Sequence, residues 1–275
     1  MPRLLKVGGI IMGALVLTTL GISASDTLQG VSGSLVSMVL MSKKPTGCGD
    51  GSALVVSQGR QLCVDLFEAS VGEGCPNIDP KNLQETEKNL GTTHCAPATK
   101  KDAVPWHFVS LSQAQRACAL SGKRLMSNEE WYRAALGTPS QNGVCNSNDP
   151  SAQAPRKTKE TACRSGNGMY DMIGNVWEWV DASVDNGKYN NRGLPDTGYV
   201  TGVDADGIAL TSGAQEDDLY GKDYFWQDKS GIRGMLRGGF YGSGNDGGVY
   251  AVNASVDLGF GSVGIGFRCV REYTQ

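Results

Sequence analysis

The sequence predicts a loop-rich α+β domain with short antiparallel strands and two early helices, behind an apolar N-terminal segment. Between residues 110 and 137, two stretches carry complete helix start and stop signals. Around residue 58, two apolar runs flank a short turn, as in a β-hairpin. The glycines, 38 in all, cluster after residue 160, which predicts short strands and many turns. With 275 residues, 40% of them hydrophobic, the chain can build a substantial core.

The N-terminus differs from the rest of the chain. Residues 7–24 form the uncharged apolar run VGGIIMGALVLTTLGISA, preceded by Arg3 and Lys6. A run of about 18 such residues can span a membrane, and a signal peptide has similar features. The length favours a retained anchor, and the basic residues predict a cytoplasmic N-terminus. We therefore expect an anchor or signal with a linker over residues 1–44, and an extracytoplasmic domain, anchored or secreted, over residues 45–275.

The composition argues against several kinds of site. A formal net charge of −3, with no basic run, argues against nucleic-acid binding. The chain has only two histidines, His94 and His107, and no CxxC motif. A zinc finger, a thioredoxin-like centre and a three-histidine iron site are therefore not expected. In an exported domain, an even number of cysteines predicts disulfides. The eight cysteines are Cys48, Cys63, Cys75, Cys95, Cys118, Cys145, Cys163 and Cys269.

The first part of the domain combines a hairpin, a polar stretch and two helices. The runs ALVV and LCVDLF flank the turn SQGR, which predicts the hairpin. Residues 77–102 are polar and are expected to form a surface excursion without a site. The first helix, SLSQAQRACALSG, has Ser110 as N-cap and Gln113 three residues later, with Cys118 on its apolar face. The second, SNEEWYRAALG, repeats the capping box with Ser127 and Glu130.

The stretch GNVWEWV, residues 174–180, alternates like a strand. Trp177 and Trp179 fall on one face, and Glu178 falls on the other face between two valines. Glu178 could be an ordinary surface acid, or it could pair with an arginine.

Four blocks of sequence occur in the order VSLSQAQRACALSGKRLMSNEEWYRAALG, GMYDMIGNVWEWV, LRGGFYG and GIGFRCVRE. In this order they resemble the formylglycine-generating enzyme, or sulfatase-modifying factor, domain family, from about residue 50 to the C-terminus. The resemblance implies a C-type-lectin-like α+β fold with little regular structure.

The resemblance also raises a question about activity. Enzymes of this family oxidise a substrate cysteine to formylglycine with copper held by two cysteines between the RGG and GFR blocks. Here that interval, Phe240–Ile265, contains no cysteine, so no copper is expected. A related branch uses a histidine-based iron site, which two histidines cannot supply. The expectation is a non-catalytic domain that binds an unknown protein or glycan at the cell surface. The alternative is a formylglycine-generating-type oxidoreductase with an altered site, acting on a sulfatase-like substrate.

The expected ligand-binding face lies in the same interval, where amphipathic side chains sit on a glycine-rich backbone. The candidates are Phe240, Tyr241, Ser243, Asn245, Asp246, Tyr250, Asn253 and Asp257, with Ser255, Phe260 and Ser262 beside them. Residues 220–231, YGKDYFWQDKSG, are a second candidate segment for the same surface. The alternative is that the glycines only make turns and the aromatic side chains pack inside.

Carried over residue by residue, the resemblance implies one structural calcium ion. Its ligands would be the side chains of Asp171 and Glu178 and the carbonyls of Gly174 and Val176, a set of oxygens that suits calcium. The competing interpretation is an arginine partner for Glu178, either Arg237 or Arg268. The family's second calcium site has no clear match in residues 142–164.

The resemblance further implies a disulfide between Cys118 and Cys269, because the early helix packs beside the last strand in that fold. Proximity along the chain then predicts three more bridges, although six remaining cysteines allow 15 connectivities. These bridges are Cys48–Cys63, Cys75–Cys95 and Cys145–Cys163.

Overall fold

A computed structural model of the chain describes residues 47–140 and 143–274. The apolar run 7–24 and the predicted anchor and linker, residues 1–44, lie outside the described residues. In the described part, no helix is both long enough and apolar enough to span a bilayer.

The predicted hairpin is present. Strands β1 (Ser52–Ser57) and β2 (Arg60–Asp65) pair antiparallel and are joined by a two-residue turn. Both turn residues are left-handed, with φ of 46° at Gln58 and 75° at Gly59, as a type I′ turn requires. The sheet order is β1-β2-β15-β5, so the last strand lies beside the first hairpin. The two added strands are β15 (Cys269–Glu272) and β5 (Arg124–Leu125).

Within the polar stretch 77–102, the structure contains a helix that the sequence analysis did not predict. Helix α1 (Leu83–Leu90) is capped by the side chain of Asn82, which accepts a hydrogen bond from the Glu85 N–H. The helix was missed because its core-facing positions include polar residues: Thr86 and Asn89 are fully buried. The Thr86 hydroxyl accepts a hydrogen bond from the indole of Trp106, and this contact satisfies both polar groups. Strands β3 (Ala69–Val71) and β4 (Pro97–Thr99) pair on either side of this segment.

The two predicted helices are confirmed, with both capping boxes formed. They are α2 (Leu111–Leu120), capped by Ser110, and α3 (Asn128–Ala135), capped by Ser127. In each, the side chain three residues after the cap bonds back to the cap's own N–H, so two free donors of the first turn are satisfied.

A large sheet occupies the second half of the domain, with more strand than the glycine content predicts. Its order is β10-β9-β11-β13-β12-β6-β7-β8, and β14 also pairs with β6. The β11–β13 and β14–β6 pairs are parallel, against the expectation of antiparallel strands only. Long connections separate the strands of both pairs, and parallel pairing needs such connections. The strands are β6 (Trp177–Asp185), β7 (Lys188–Tyr189), β8 (Arg192–Gly193), β9 (Gly198–Val203), β10 (Ala209–Gly213), β11 (Tyr224–Gln227), β12 (Ile232–Arg237), β13 (Val252–Val256) and β14 (Ile265–Phe267).

The large sheet carries a hydrophobic core on each face. Trp179 packs with α2 on one side, and Val180 packs with α3 and the first hairpin on the other. The same alternation separates Trp226 from Phe225 on β11. Glu178 shares the face of Val180, as the alternation predicted, but it is buried rather than on the surface.

Every cysteine is in a disulfide, and the four bridges are those predicted: Cys48–Cys63, Cys75–Cys95, Cys118–Cys269 and Cys145–Cys163. Cys118 lies on the core face of α2 and Cys269 begins β15. This bridge therefore ties the helix that covers the large sheet to the small sheet.

Replacing both Cys118 and Cys269 by alanine should destabilise the domain more than the same change at Cys75 and Cys95. The bridges span 151 and 20 residues, for which the chain-entropy model gives upper values of about 5 and about 3 kcal/mol. Denaturant unfolding of both double variants under oxidising conditions measures the difference. Equal losses would show that loop entropy does not set the contribution of these bridges.

Candidate functional site

The loop before β6, together with Glu178 in that strand, holds the residues that the resemblance assigned to calcium. Asp171 and Asn175 both have φ of 59° and Gly174 has φ of 77°, so the loop turns through left-handed conformations. A Cβ at Gly174 would lie 2.3 Å from the carbonyl oxygen of Asn146, so only glycine fits there. The loop is therefore held closely against the segment that contains Asn146.

Glu178 is 1% exposed and has an arginine partner. The Arg268 guanidinium donates to Glu178 Oε1 from Nη2 at 2.8 Å and from Nε at 3.2 Å. The indole of Trp131 donates to Oε2 at 2.7 Å. Of the two arginines named as possible partners, Arg268 is the one that pairs. Arg237 instead donates to the carbonyls of Gly207 and Val249.

Two further carboxylates lie near this pair. Glu68 is fully buried and accepts hydrogen bonds from the Asn175 side chain and the Val176 N–H. Asp171 is 3% exposed and accepts from the Lys159 N–H and the Thr161 hydroxyl. Burial, with repulsion from Asp171 and Glu178, raises the pKa of Glu68 well above its usual value. Burial also raises the pKa of Asp171 to about 6. Glu68, Asp171 and Glu178 are called the buried acid cluster below.

The charge of the buried acid cluster bears on calcium binding. Three carboxylates face one guanidinium, Arg268, so the cluster has excess negative charge that a proton or a cation can offset. The oxygen donors suit calcium. In the described part of the chain, no group of three or more His, Cys, Asp or Glu side chains is arranged to hold a metal ion. A calcium ion here would therefore depend on the carbonyls of Gly174 and Val176.

The candidate ligand-binding residues divide into an accessible and a packed group. Asn245 and Asp257 are exposed, and Phe240, Ser243, Asp246 and Asn253 are half-buried. Tyr241 is 6% exposed and belongs to the packed group. At this position the aromatic side chain packs inside, which was the alternative interpretation. The half-buried Tyr250 also packs, since its ring lies against those of Tyr132 and Tyr220.

The structure places the two candidate segments side by side. Strand β11, from the segment 220–231, runs parallel to β13, with Trp226 opposite Asn253. On the other side of β11, Tyr224 pairs with Tyr199 of β9. The ring centroids lie 4.9 Å apart for Tyr199 and Tyr224, and 4.8 Å apart for Tyr224 and Trp226. These three half-buried rings are called the aromatic strip. Tyr199 was missed because only strand pairing brings it here.

A cavity of about 320 Å³ opens beside this surface. The interval 240–265 contributes Asn245 to its lining, and the other walls include Ser147, Asp218 and Lys222. The disulfide-bonded Cys145 also lines the cavity. The lining is mainly polar. The cavity lies where the interval 240–265 meets the turn at residues 218–222.

Behind the cavity, Asp223 and Arg237 are both buried. Asp223 accepts a hydrogen bond from the Tyr250 N–H at 2.6 Å, and a Cβ at Gly248 would lie 1.9 Å from its oxygen. Burial raises the pKa of Asp223 to about 7 and lowers that of Arg237 to about 10. The Arg237 guanidinium stacks 5.0 Å from the Trp131 ring. Asp223 thus fixes the backbone that leads from the cavity into β13.

Residues 58–273 match the family model of the sulfatase-modifying factor enzyme 1-like domain. The chain belongs to this family. The match confirms the resemblance stated from the four sequence blocks. Within this sulfatase-modifying factor domain, the interval between RGG and GFR has no cysteine, and every cysteine elsewhere is in a disulfide.

Solved structures of similar shape were also found. The U1 variant of the Major Tropism Determinant is 15% identical, with a TM-score of 0.48, over 84% of this chain and 55% of that chain. Variable protein 1 of Treponema denticola is 13% identical, with a TM-score of 0.43, over 82% of this chain and 100% of that chain. PvdO from Pseudomonas aeruginosa is 15% identical, with a TM-score of 0.41, over 78% of this chain and 94% of that chain. The chain thus spans about half the length of the tropism determinant. No curated protein gave a significant match.

Proposed function

We propose that this sulfatase-modifying factor domain is a non-catalytic module that binds a ligand, a protein or a glycan, at the outer cell surface. The family's copper chemistry needs two thiolates, and the interval that would supply them is Phe240–Ile265. That interval has no cysteine, and the cysteines elsewhere are joined in disulfides. A binding role uses what the interval does contain, which is half-buried aromatic and amide side chains.

The main support for this proposal is that the two candidate segments, residues 220–231 and 240–265, lie side by side in one surface. Trp226 lies opposite Asn253 on parallel strands, and Tyr224 and Tyr199 extend the row of rings. Aromatic side chains of this kind supply large contact area at a low entropic cost. The Asn253 Oδ1 accepts hydrogen bonds from the Ser255 N–H and hydroxyl, which holds this amide in one orientation. The surface is therefore ordered before a ligand arrives, which favours binding.

Trp226→Ala should weaken ligand binding about tenfold, because a large ring at the centre of a contact carries much of its energy. The measurement is a glycan and peptide array probed with the fragment from Pro45 to the C-terminus, followed by titration of the best ligand. Ile78→Ala is the control, since Ile78 is 80% exposed in another part of the domain. Unchanged binding by the Trp226 variant would rule out this surface.

The proposal places the domain outside the cytoplasm. Four disulfides are consistent with an oxidising compartment. The apolar run 7–24, with Arg3 and Lys6 before it, is the proposed anchor.

Protease added to intact cells should therefore cleave the domain, while a cytoplasmic marker protein stays intact. The fragment that remains with the membrane should contain the N-terminal run. If the domain and the marker are both protected in intact cells, and the domain is cleaved only after lysis, the proposed topology is wrong.

We further propose one structural calcium ion bound by Asp171 and Glu178 with the carbonyls of Gly174 and Val176. The excess negative charge of the buried acid cluster supports it, since a divalent cation offsets that charge. The Arg268 pair with Glu178 is the competing arrangement, in which the acid needs no metal.

Removal of calcium by a chelator should lower the melting temperature of the wild-type domain. A ligand at 100 times its Kd stabilises by about 2.7 kcal/mol, so a shift of several degrees is expected. Asp171→Asn should largely remove the response to calcium, whereas Asp246→Asn, a change of the same charge at an accessible position, should keep it. If neither calcium nor the chelator changes the melting temperature of the wild type, the calcium proposal is wrong and Glu178 is paired only with Arg268.

A further inference from the structure

One end of the aromatic strip has an unbalanced negative charge. Tyr199 pairs with Gly213, three residues before Glu216, and the residues on either side of Asp246 line the same cavity as Asp218 and Lys222. The Lys222 ammonium lies 3.0 Å from a Glu216 carboxylate oxygen and 3.8 Å from one of Asp218. Glu216 and Asp218 therefore share the Lys222 cation, and with Asp246 close by the local charge is negative.

Asp246 is the member of this group that has no partner. Within residues 47–140 and 143–274, its carboxylate accepts no hydrogen bond and forms no ion pair. Partial burial and repulsion from Glu216 raise its pKa. Asn245 and Gly247, on either side of Asp246, line the cavity together with Lys222, which is two residues before Tyr224. In agreement with this placement, repulsion from Asp246, burial and repulsion from Glu216 raise the pKa of the Tyr199 hydroxyl. A positive charge placed here would relieve this repulsion.

The rings of the strip favour the same kind of ligand. The face of an aromatic ring is electrically negative and attracts a cation, most strongly at tryptophan and tyrosine. A neutral sugar could stack on these rings, but it would not offset the charge of Asp246 and Glu216. The cavity beside the strip shares Asp218 and Lys222 with this group, so it can accommodate the neighbouring part of a chain.

We propose that the ligand of this surface is a protein segment that presents an arginine or lysine side chain between the Tyr199–Tyr224 rings and the Asp246 carboxylate. This inference rests on the proposed binding function and names its ligand class. Arginine suits the position better than lysine, because its planar group can stack on a ring and donate to a carboxylate at the same time.

The test is a fluorescence titration of the full chain, purified in mild detergent, at low ionic strength. The probe is an acetylated and amidated peptide of three Arg-Gly repeats, and its match is the same peptide with neutral citrulline in place of arginine. The arginine peptide should bind about tenfold more tightly than the citrulline peptide. Asp246→Asn and Tyr224→Ala should each weaken arginine-peptide binding about fivefold. Glu160→Gln, which removes one negative charge from an exposed side chain in another loop, should have little effect.

Equal affinity for the two peptides, or an equal loss in the Asp246 and Glu160 variants, would overturn the inference, because attraction would then be only a matter of net charge. A neutral oligosaccharide that binds in a manner sensitive to Trp226→Ala but not to Asp246→Asn would also overturn it, while leaving the proposed binding function intact. The proposed binding function itself would fail on a different result, namely that Trp226→Ala changes the binding of no ligand found on the array.

Discussion

The ion pair between Glu178 and Arg268 lies where the large sheet meets the small sheet. Glu178 stands near the start of β6, and Arg268 lies between β14 and β15, both fully surrounded by protein. Arg268 also donates to the carbonyls of Asp65 and Tyr170, so its guanidinium reaches the first hairpin and the loop before β6. Burying two charges costs several kcal/mol, and such a pair persists only when its hydrogen bonds are complete. The pair and its backbone contacts therefore tie β6 to the first hairpin and to the loop before β6.

Around that centre, cross-links and caps add to the two hydrophobic cores in stabilising a domain with many glycines. Most connections in the large sheet are short, but those that lead to β11, β13 and β14 are longer, and ordering them is opposed by conformational entropy. Cys118–Cys269 restricts the unfolded chain across this whole sheet, and the other three bridges restrict the segments before it. Buried side chains then hold individual loops: Asp223 bonds to the backbone at Tyr250, and Glu68 bonds to the backbone at Val176.

A frame built from these supports is compatible with the proposed binding function, which uses accessible side chains and not the family's copper cysteines. The side chains of the buried acid cluster, the helix caps and the bridges all come from outside the interval 240–265, whereas the backbone of that interval supplies β13 and accepts the Leu111 N–H of α2 at Leu258. The interval can therefore present Asn253 beside Trp226, and its accessible side chains can change while the fold stays the same. The proposed function belongs to the surface rather than to the fold.

The sequence by itself determined the features that depend on neighbouring residues: the turn at Gln58, the capping boxes at Ser110 and Ser127, and the short-range bridges. Hydrogen bonds and backbone angles within a few residues decide the turn and the capping boxes, so a single stretch of sequence contains the necessary information. The short-range bridges follow from the closeness of their cysteines along the chain. The family resemblance added the long-range bridge. Helix α1 escaped because two of its three buried positions, Thr86 and Asn89, are polar, and a polar residue is acceptable in a core only when a distant partner satisfies it. Tertiary structure alone decided the choice of Arg268 over Arg237, the approach of Glu68 to the loop before β6 and the position of Tyr199 in the strip. Each depends on segments far apart in the chain meeting at bonding distance, which local patterns do not encode.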